Sequence, residues 1–383
     1  MDFDISVAFV GNFVQDTIKT FHNPNDVSNL GGSVAFGSKA ARAYAFENKT
    51  FIYIISKLGR GDHTFMDPYL EDMRKTGIDV DHALSYEEVG NMTCYKLTYT
   101  NPETNSRDMI LQRRGFSLND KDFVINALRK ASCLPDLIFF VPVAAEFDAQ
   151  LVKNVVTELV KDYKSVPNKP FPFIITDIQG YVRAFDPESG AVSILSSKEL
   201  IKTLNRLGKY VFFLKCDYDE AKSALSDLVQ DQSAPTPTQC AEMLHRIFGF
   251  KCVAVTMGPG GCVVSAAVNK GTRNIDILPS KSIEDNFDII TKYISAFTPK
   301  RVVDETGSGD TFLSTTFTEL LLLLKEGGAE RVDQINCDVL FEAVELASAA
   351  TSHLVERNHD QIFSTRQNAR IIRNNNKRNK PFE

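Results

Sequence analysis

The chain has 383 residues, of which 43% are apolar and 24% are charged, a composition typical of a globular protein with one large domain or two smaller ones. Its formal net charge of -6 indicates no general affinity for nucleic acid or for an anionic membrane surface. The start MDFDISVAFVGN lacks the basic residues of a signal peptide, and no apolar run approaches the about 20 residues of a membrane-spanning helix. With seven scattered cysteines and no CxxC spacing, these features predict a cytoplasmic protein with reduced thiols.

Short apolar runs alternate with helical patterns along most of the chain. The first run, Ile5–Val10, predicts a buried strand that ends at Gly11, and the Ala-rich segment Ser33–Ala45 predicts the first helix. Further strands are predicted at Thr50–Ser56, Leu137–Val143, Phe173–Asp177, Tyr210–Leu214 and Cys252–Met257, and further helices at Thr64–Thr76, Asp148–Tyr163 and Pro237–Phe248. This alternation predicts an α/β fold with a mostly parallel sheet, whose ligands lie at the carboxyl ends of the strands.

Other segments depart from the alternation. Thr93–Thr100 and Arg107–Gln112 predict a hairpin, which could form an antiparallel edge of the main sheet. Loops are predicted at residues 164–170, 231–238 and roughly 268–300. The basic, Asn-rich stretch 366–383 predicts a solvated and partly disordered tail.

The segment Val302–Phe312, VVDETGSGDTF, joins a predicted strand end to a predicted helix and carries the strongest functional signal. Gly307 and Gly309 let backbone N–H groups approach a ligand closely, and a helix N-terminus favours negative charge, so this turn predicts an anion site. Asp310 would repel a phosphate there unless it accepts a proton, which predicts a general base for a hydroxyl that attacks a phosphoryl group. The plainer interpretation is a Gly-rich turn with Asp310 as a capping residue.

The string Asp304–Asp310, DETGSGD, resembles the D-T-x-G-A-G-D signature of ribokinase-like (PfkB) carbohydrate and nucleoside kinases, with Glu305 and Ser308 as its two departures. The resemblance implies that Asp310 is the catalytic base and that the amides of Gly307, Ser308 and Gly309 form the anion hole. It also implies a ribokinase-like three-layer α/β sandwich with a central, mostly parallel sheet and a small β lid. The kinase domain would span residues 1–365, with lid segments at 13–30 and 91–113.

Residues near the N-terminus resemble the acceptor-binding part of this family. Asp16 follows the first strand, and Gly31 and Gly32 match the start of a glycine signature, so the resemblance implies that they bind substrate. Phe36 stands where many members have Asn, and GGSVAFGS is similar to the version found in inositol-kinase-like members. The stretch Asp177–Arg183, DIQGYVR, resembles a further family stretch. Its arginine could bind hydroxyl groups or offset phosphate charge, and surface salt bridging accounts for it equally well.

The second half of the chain resembles the nucleotide- and metal-binding parts. Thr256, Gly258 and Gly261 match a T-x-G-x-x-G turn that lies against the nucleotide. Glu220 matches the acid of an N-x-x-E stretch that acts on Mg²⁺ through water, with Asp217 in place of the usual Asn. An acidic helix start accounts for the same two residues without any metal.

Taken together, the resemblance implies an ATP-dependent phosphotransferase that uses Mg²⁺ and moves the γ-phosphoryl group to a hydroxyl of a small sugar or polyol. It implies no nucleic-acid or membrane partner, and either a monomer or a homodimer. A nucleoside kinase is the first alternative, with Phe13, Phe21 and Phe36 available for a base slot. A catalytically weak regulatory protein on the same scaffold is the second. A Rossmann oxidoreductase is excluded because Gly11 is not followed by G-x-G-x-x-G.

Overall fold

The architecture is that of a computed structural model, which describes residues 3–19, 26–101, 106–166, 169–229, 234–278, 287–328, 334–357 and 362–375. The strands of these ranges are β1 Ile5–Val10, β2 Val14–Lys19, β3 Val27–Gly31, β4 Thr50–Gly59, β5 Ile78–Asp79, β6 Leu84–Glu87, β7 Thr93–Asn101, β8 Ser106–Arg113, β9 Leu137–Phe140, β10 Phe173–Asp177, β11 Arg183–Phe185, β12 Val192–Ile194, β13 Phe213–Asp217, β14 Cys252–Thr256, β15 Cys262–Asn269, β16 Asn274–Asp276, β17 Phe287–Ile294 and β18 Gln334–Asn336. Their α-helices are α1 Ser33–Tyr44, α2 His63–Thr76, α3 Lys121–Lys130, α4 Ala149–Ser165, α5 Gln179–Val182, α6 Ser197–Leu207, α7 Tyr218–Leu225, α8 Pro237–Phe248, α9 Ser308–Glu326, α10 Cys337–Arg357 and α11 Arg366–Asn374.

A ten-stranded central sheet organises the molecule. Its order is β17-β15-β14-β13-β10-β9-β1-β4-β5, with β6 also paired to β4. Neighbouring strands from β14 to β5 are parallel to each other. At the other edge, β15 is antiparallel to both of its neighbours, β14 and β17. Strands β1, β9 and β10 are buried along their whole length, as expected for a sheet covered on both faces. The predicted α/β fold with a mostly parallel sheet is confirmed.

Helices cover both faces of this sheet because alternate residues of a strand point to opposite sides. Val7 and Phe9 of β1 join an apolar cluster that includes residues of α1, α2, α9 and α10. Ala8 and Val10 join a second cluster with residues of α3, α4, α6 and α8. The molecule therefore has three layers. None of the described helices is long and apolar enough to cross a membrane.

A second, smaller sheet stands apart from the central one. Its order is β3-β2-β7-β8, so the hairpin of β7 and β8 pairs with β2 and not with the main sheet. The alternative of an antiparallel edge of the main sheet is therefore wrong for this hairpin. Val14, Tyr95 and Leu97 of the small sheet pack against Val143 and Ala144, which follow β9. The strands of this sheet include most of the described residues of the two segments predicted to form a lid, whereas residues 20–25 and 102–105 fall outside the described ranges.

The prediction of a long loop over residues 268–300 is wrong. The segment contains β16 and β17, and β17 pairs with β15 from Asn269 opposite Phe287 to Cys262 opposite Ile294. Its sequence FDIITKYI mixes charged and apolar residues because an edge strand is only partly covered.

Smaller differences concern the boundaries of two predicted elements. The strand predicted at Tyr210–Leu214 lies at β13, and the end of the loop predicted at 231–238 overlaps the start of α8, whereas residues 230–233 lie outside the described ranges.

The prediction of a disordered tail from residue 366 is wrong for its first nine residues, which form α11. The helix packs on α10, and Arg366 forms two hydrogen bonds with the fully buried carboxylate of Glu319, at 2.6 and 2.8 Å. Arg373, two turns along the same helix, contacts Glu342 at 2.8 Å. These arginines repeat at helical spacing, so one basic face of α11 meets acidic residues of α9 and α10. Residues 376–383 lie outside the described ranges.

Candidate active site

A tight turn leads into α9 where the sequence predicts an anion site. Gly307 caps the helix with a φ of 75°, a left-handed conformation that glycine adopts without steric cost. A Cβ at this position would also overlap the ring of Phe36. Asp304 shapes the turn, since its Oδ1 accepts hydrogen bonds from the N–H and the hydroxyl of Thr306 at 2.9 and 2.7 Å. Glycine at position 307 is therefore required both by the backbone and by its neighbour.

The first turn of a helix presents backbone N–H groups that no helical carbonyl can accept. In α9 the N–H of Ser308 donates to the carbonyl of Glu305 at 3.1 Å. The N–H groups of Gly307, Gly309 and Asp310 have no acceptor among the described residues. Together with the positive end of the helix dipole, they can stabilise an anion. Of the three amides predicted to form the anion hole, those of Gly307 and Gly309 are thus available.

Two cavities meet at this turn. The larger cavity, of about 470 Å³, is lined there by Glu305, Ser308 and Gly309. The smaller cavity, of about 80 Å³, is lined there by Thr306, Gly307 and Asp310. The N-terminus of α9 therefore separates the two spaces and contributes atoms to both.

The smaller cavity has both apolar and polar walls, which come mainly from different parts of the fold. The small sheet supplies the apolar side chains of Val14, Tyr95, Leu97 and Met109, and α1 adds Phe36. The central layers supply the polar side chains of Ser33, Gln179, Arg183, Thr306 and Asp310. Asp16 of β2 is the polar residue that the small sheet contributes. A molecule bound here would contact the small sheet on one part of its surface and the polar groups of the central layers on another.

Asp16 and the two adjacent glycines that the sequence singles out lie together. Asp16 is buried and lines the smaller cavity. Gly31 lies behind its carboxylate, where any Cβ would overlap Oδ2. Gly32 lines the cavity and caps α1 with a φ of 91°, and a Cβ there would lie 2.9 Å from the carbonyl oxygen of Asn12. Gly31 therefore makes room for the carboxylate, and Gly32 makes the tight entry to α1 possible.

Asp310 has an environment that suits proton transfer. Withdrawal from bulk water raises its pKa to about 6, and the charge of Asp177 acts in the same direction. The hydroxyl of Ser33 and the positive charges of Lys215 and Arg183 partly oppose this rise in pKa. A carboxyl group with a pKa near 6 can accept and release a proton around neutral pH.

A buried ion pair lies behind the turn, at the carboxyl ends of β10 and β13. The Nζ of Lys215 donates to Oδ2 of Asp177 at 2.7 Å, and both side chains are almost completely buried. Burial lowers the pKa of Lys215, but the carboxylates of Asp177 and Glu220 outweigh it and raise that pKa above its usual value. Lys215 also approaches α9, because a Cβ on Gly309 would lie 2.9 Å from Nζ. The ammonium group therefore stays charged beside the anion-binding turn.

The larger cavity contains the residues predicted to contact a nucleotide. Thr256, Gly258 and Gly261 line it at the turn after β14. Gly258 has a φ of 54° and open space where a side chain would project, whereas a Cβ on Gly261 would overlap the carbonyl oxygen of Ile294. The other walls are the apolar side chains of Phe297, Val302, Phe312 and Val355 and the hydroxyl groups of Ser348, Thr351 and Ser352. This lining suits a flat apolar ring with a polar substituent.

The predicted metal-binding residues, Asp217 and Glu220, hold the start of α7. Oδ1 of Asp217 accepts from the N–H of Glu220 at 2.7 Å, and Oε2 of Glu220 accepts from the N–H of Asp217 at 2.9 Å. Each carboxylate keeps its second oxygen for another partner. Burial and the charge of Asp177 raise the pKa of Glu220 to about 7. A bound cation would stabilise the ionised carboxylate and lower this pKa again. No cluster of three or more ligand side chains occurs in the described part of the chain. Carboxylate oxygens such as those of Asp217 and Glu220 are ligands that suit Mg²⁺, which usually keeps several waters.

Neither Lys215 nor Arg183 was among the site residues predicted from the sequence. Lys215 lies two residues before Asp217 on β13, and alternate residues of a strand point to the same face of the sheet. This spacing could therefore have shown that Lys215 lies on the same face as Asp217. Arg183 is held in the smaller cavity, where Nη1 donates to the carbonyl of Val143 at 3.0 Å and the guanidinium lies 5.7 Å from the ring centre of Tyr95. The sequence DIQGYVR does not distinguish an arginine that lines a cavity from an arginine that forms a surface salt bridge.

No protein-family model matches the sequence, and no curated protein matches it. Solved structures do match. A ribokinase of Arabidopsis thaliana complexed with ribose and ATP has a TM-score of 0.60 at 15% identity, over 96% of this chain and 98% of that one. A pyrophosphate-dependent kinase in the ribokinase family, complexed with a pyrophosphate analog and myo-inositol, has a TM-score of 0.58 at 16% identity, over 95% and 99%. The chain has the ribokinase fold.

A third structure with the ribokinase fold broadens the set of bound molecules. It is a nucleoside kinase of Burkholderia thailandensis in complex with inosine, with a TM-score of 0.56 at 17% identity, over 95% of this chain and 96% of that one. The ribokinase fold of the present chain brings Asp16 and Asp310 to one cavity, although 294 positions of sequence separate them. It brings Thr256 and Gly309 to the other cavity.

Proposed function

We propose that this protein is an ATP-dependent phosphotransferase that moves the γ-phosphoryl group to a hydroxyl group of a small sugar or polyol. One observation carries the proposal. The larger and the smaller cavity meet at the N-terminus of α9, with Asp310 in the smaller cavity and the anion-binding turn between the two. A donor in the larger cavity and an acceptor in the smaller one would face each other across that turn, which is the arrangement that transfer between two bound molecules needs.

Asp310 would act as the general base. As the acceptor oxygen forms its bond to phosphorus, its proton passes to the carboxylate of Asp310. The bond between phosphorus and the bridging oxygen breaks, and its electron pair leaves with ADP. The N–H groups of Gly307 and Gly309 would stabilise the charge on the transferring group, because they are fixed in place before the reaction.

The larger cavity supports a nucleotide as the donor. Its apolar side chains offer a site for a flat base, and the turn at Gly258–Gly261 brings backbone close to it. A bare pyrophosphate donor would have no use for the apolar walls around Phe297 and Val355. Asp217 and Glu220 would contact a Mg²⁺ ion through water at the edge of this site, and the bound ion would neutralise the phosphate charge.

The smaller cavity supports a small hydroxylated acceptor. Asp16 can accept hydrogen bonds from two hydroxyl groups, and Gln179 and Arg183 add donors. A nucleoside is the second candidate, favoured by the apolar contribution of Phe36, Leu97 and Met109. Of the other phenylalanines considered for a base slot, Phe13 is part of the core and Phe21 lies outside the described residues. The proposal is for a cytoplasmic monomer or homodimer and involves neither nucleic acid nor a membrane.

The proposal is tested by ADP release with Mg-ATP over a panel of pentoses, hexoses, inositols and nucleosides, with the Asp310→Asn variant alongside. We expect one acceptor to stimulate turnover and the variant to lose about 10²–10⁴ in kcat while it still binds ATP. Asp227→Asn, an exposed substitution outside both cavities, is the matched control and should keep full activity. A variant at Asp310 with unchanged kcat would contradict the assignment of the base. ATP binding without turnover for any acceptor would favour a regulatory protein on the same scaffold.

A further inference from the structure

Lys215 carries an ammonium group that is only partly satisfied inside the protein. The residue is 6% exposed, yet of its three N–H groups only the one that donates to Asp177 Oδ2 has an acceptor among the described residues. A buried donor without an acceptor costs about 1–3 kcal/mol, and more when the group is charged. A buried donor of this kind calls for an explanation, such as a ligand, an ion or a water molecule that completes its hydrogen bonds.

The position of the ammonium group points to an anion as that ligand. It lies beside the first turn of α9, at the place towards which a side chain of residue 309 would project. Gly309 contributes one of the available N–H groups of this turn and also lines the larger cavity. The absence of a side chain at Gly309 therefore lets the ammonium group approach the first turn of α9, whose available N–H groups lie where the two cavities meet.

The charges around Lys215 explain why a cation is needed there. Asp177, Glu220 and Asp310 all interact with its ammonium group electrostatically, and described residues add no second buried lysine or arginine at this point. A phosphoryl group brought next to three carboxylates would be repelled without it. The backbone amides of α9 carry only a partial positive charge, equivalent to about half an elementary charge.

We propose that Lys215 is a catalytic residue whose ammonium group binds a non-bridging oxygen of the phosphoryl group during transfer, and that Asp177 is the positioning residue that holds it there. This inference rests on the proposed function. The negative charge on the transferring group spreads over its three non-bridging oxygens, and a fixed ammonium group stabilises it at no cost of reorganisation. Neither the proton taken by Asp310 nor the electron pair that leaves with ADP passes through Lys215.

A purely structural role is the competing explanation, because Lys215 also neutralises Asp177. The two roles differ in what happens when both members of the pair are replaced by neutral residues of similar shape. If Lys215 only balances the charge of Asp177, the double variant Lys215→Met/Asp177→Asn restores folding and turnover together. If Lys215 binds the phosphoryl group, the double variant restores folding but not turnover.

The experiment measures kcat, ATP affinity by calorimetry and the midpoint of thermal unfolding for the single and the double variant. For Lys215→Met we expect kcat to fall by about 10²–10³, as for the loss of one donor to a transferring or oxyanionic group. We expect ATP affinity to change far less, and the double variant to recover the unfolding midpoint while kcat stays low. Lys222→Met, which removes a partly exposed partner of Asp219 on α7, is the matched control with unchanged kcat.

Two outcomes separate this inference from the proposed function. If the wild-type protein transfers phosphate and the double variant regains its kcat, Lys215 is a structural partner of Asp177 and only the inference is overturned. If the wild-type protein transfers no phosphate to any acceptor, the proposed function is wrong and the inference falls with it.

Discussion

At the scale of single residues, the site depends on groups whose surroundings change their ordinary chemistry. Asp310 is a carboxyl group with a pKa raised to about 6 by burial, and Lys215 is a cation kept charged by neighbouring carboxylates. Asp310 could be predicted from sequence because it stands directly after Gly309 in a short glycine-rich motif. The spacing of Lys215 to Asp217 could have placed both residues on the same side of β13. The contacts of the Lys215 ammonium group could not be predicted, since they involve Gly309, 94 positions away, and Asp177 of another strand.

The raised pKa of Asp310 predicts how turnover depends on pH. A general base works only when it is deprotonated, so kcat should rise with pH through an apparent pKa of about 6 and level off above it. A pH profile of kcat at saturating donor and acceptor measures this limb. Glu220, with a pKa of about 7, is another group beside the site that titrates in this range. The limb should persist in Glu220→Gln, and its disappearance there would assign it to Glu220 and not to Asp310.

Gly307 offers a second prediction at this scale. In Gly307→Ala the new Cβ would overlap Phe36, so we expect the first turn of α9 to shift and kcat to fall at least tenfold, with an added strain of about 1 kcal/mol from the left-handed backbone. Kinetics with saturating substrates and urea unfolding measure the two effects separately.

The chain provides a matched control for that substitution. Gly328, just past the C-terminal end of α9, has a φ of 74° and open space around it, so Gly328→Ala introduces the same backbone strain without a clash. It should lose the same small amount of stability and keep full kcat. Equal losses of kcat in both variants would show that backbone strain alone, and not the contact with Phe36, is responsible.

At the scale of elements, the sequence predicts best where a segment is apolar and long. The buried strands β1 and β10 and the helix α8 have the predicted bounds, because mostly apolar runs and a Pro start leave few alternatives. The edge strand β17 and the helix α11 were missed for the same physical reason. Both are stabilised by contacts with distant parts of the chain, and their own sequences resemble a polar loop and a basic tail.

The contact between α11 and α9 makes the C-terminal segment part of the folded unit. Arg366→Ala would leave the fully buried carboxylate of Glu319 without its bidentate partner, so we expect a loss of about 3–5 kcal/mol in the free energy of unfolding. Arg373→Ala removes a pair with the partly exposed Glu342 and should cost about 0–1 kcal/mol. Urea unfolding of the two variants measures the difference. Equal losses would mean that Glu319 finds water or another partner when Arg366 is absent.

At the scale of the whole molecule, the small sheet and the central layers together build the smaller cavity. Sequence patterns predicted the two segments of the small sheet but not how they lie over Asp310. The cavity is lined by side chains from β2, β7, β8, α1, α5, β11 and α9, among others, and up to 296 positions separate them, from Val14 to Asp310. Packing between such distant segments has no local sequence signature, which is why the acceptor could not be predicted from the sequence.

A hydrogen bond from Tyr99 joins the small sheet to the turn that precedes α9, and it leads to a prediction for the molecule as a whole. The hydroxyl of Tyr99 in β7 donates to Oδ1 of Asp304 at 3.3 Å, the same oxygen that shapes the turn through Thr306. In the proposed kinase, an acceptor that draws the small sheet towards the central layers would thereby order the anion-binding turn and exclude water. Tyr99→Phe should therefore lower acceptor-dependent ADP release severalfold and raise the fraction of ATP hydrolysed without an acceptor.

The ratio of these two rates is the decisive measurement, because a loss of stability alone would lower both together. Tyr86→Phe removes a hydroxyl from an exposed tyrosine outside both cavities and should leave the ratio unchanged. An unchanged ratio in Tyr99→Phe would mean that the small sheet and the turn close independently. A raised ratio of hydrolysis to transfer would show that closure of the small sheet and formation of the anion site are one event, linked through Asp304.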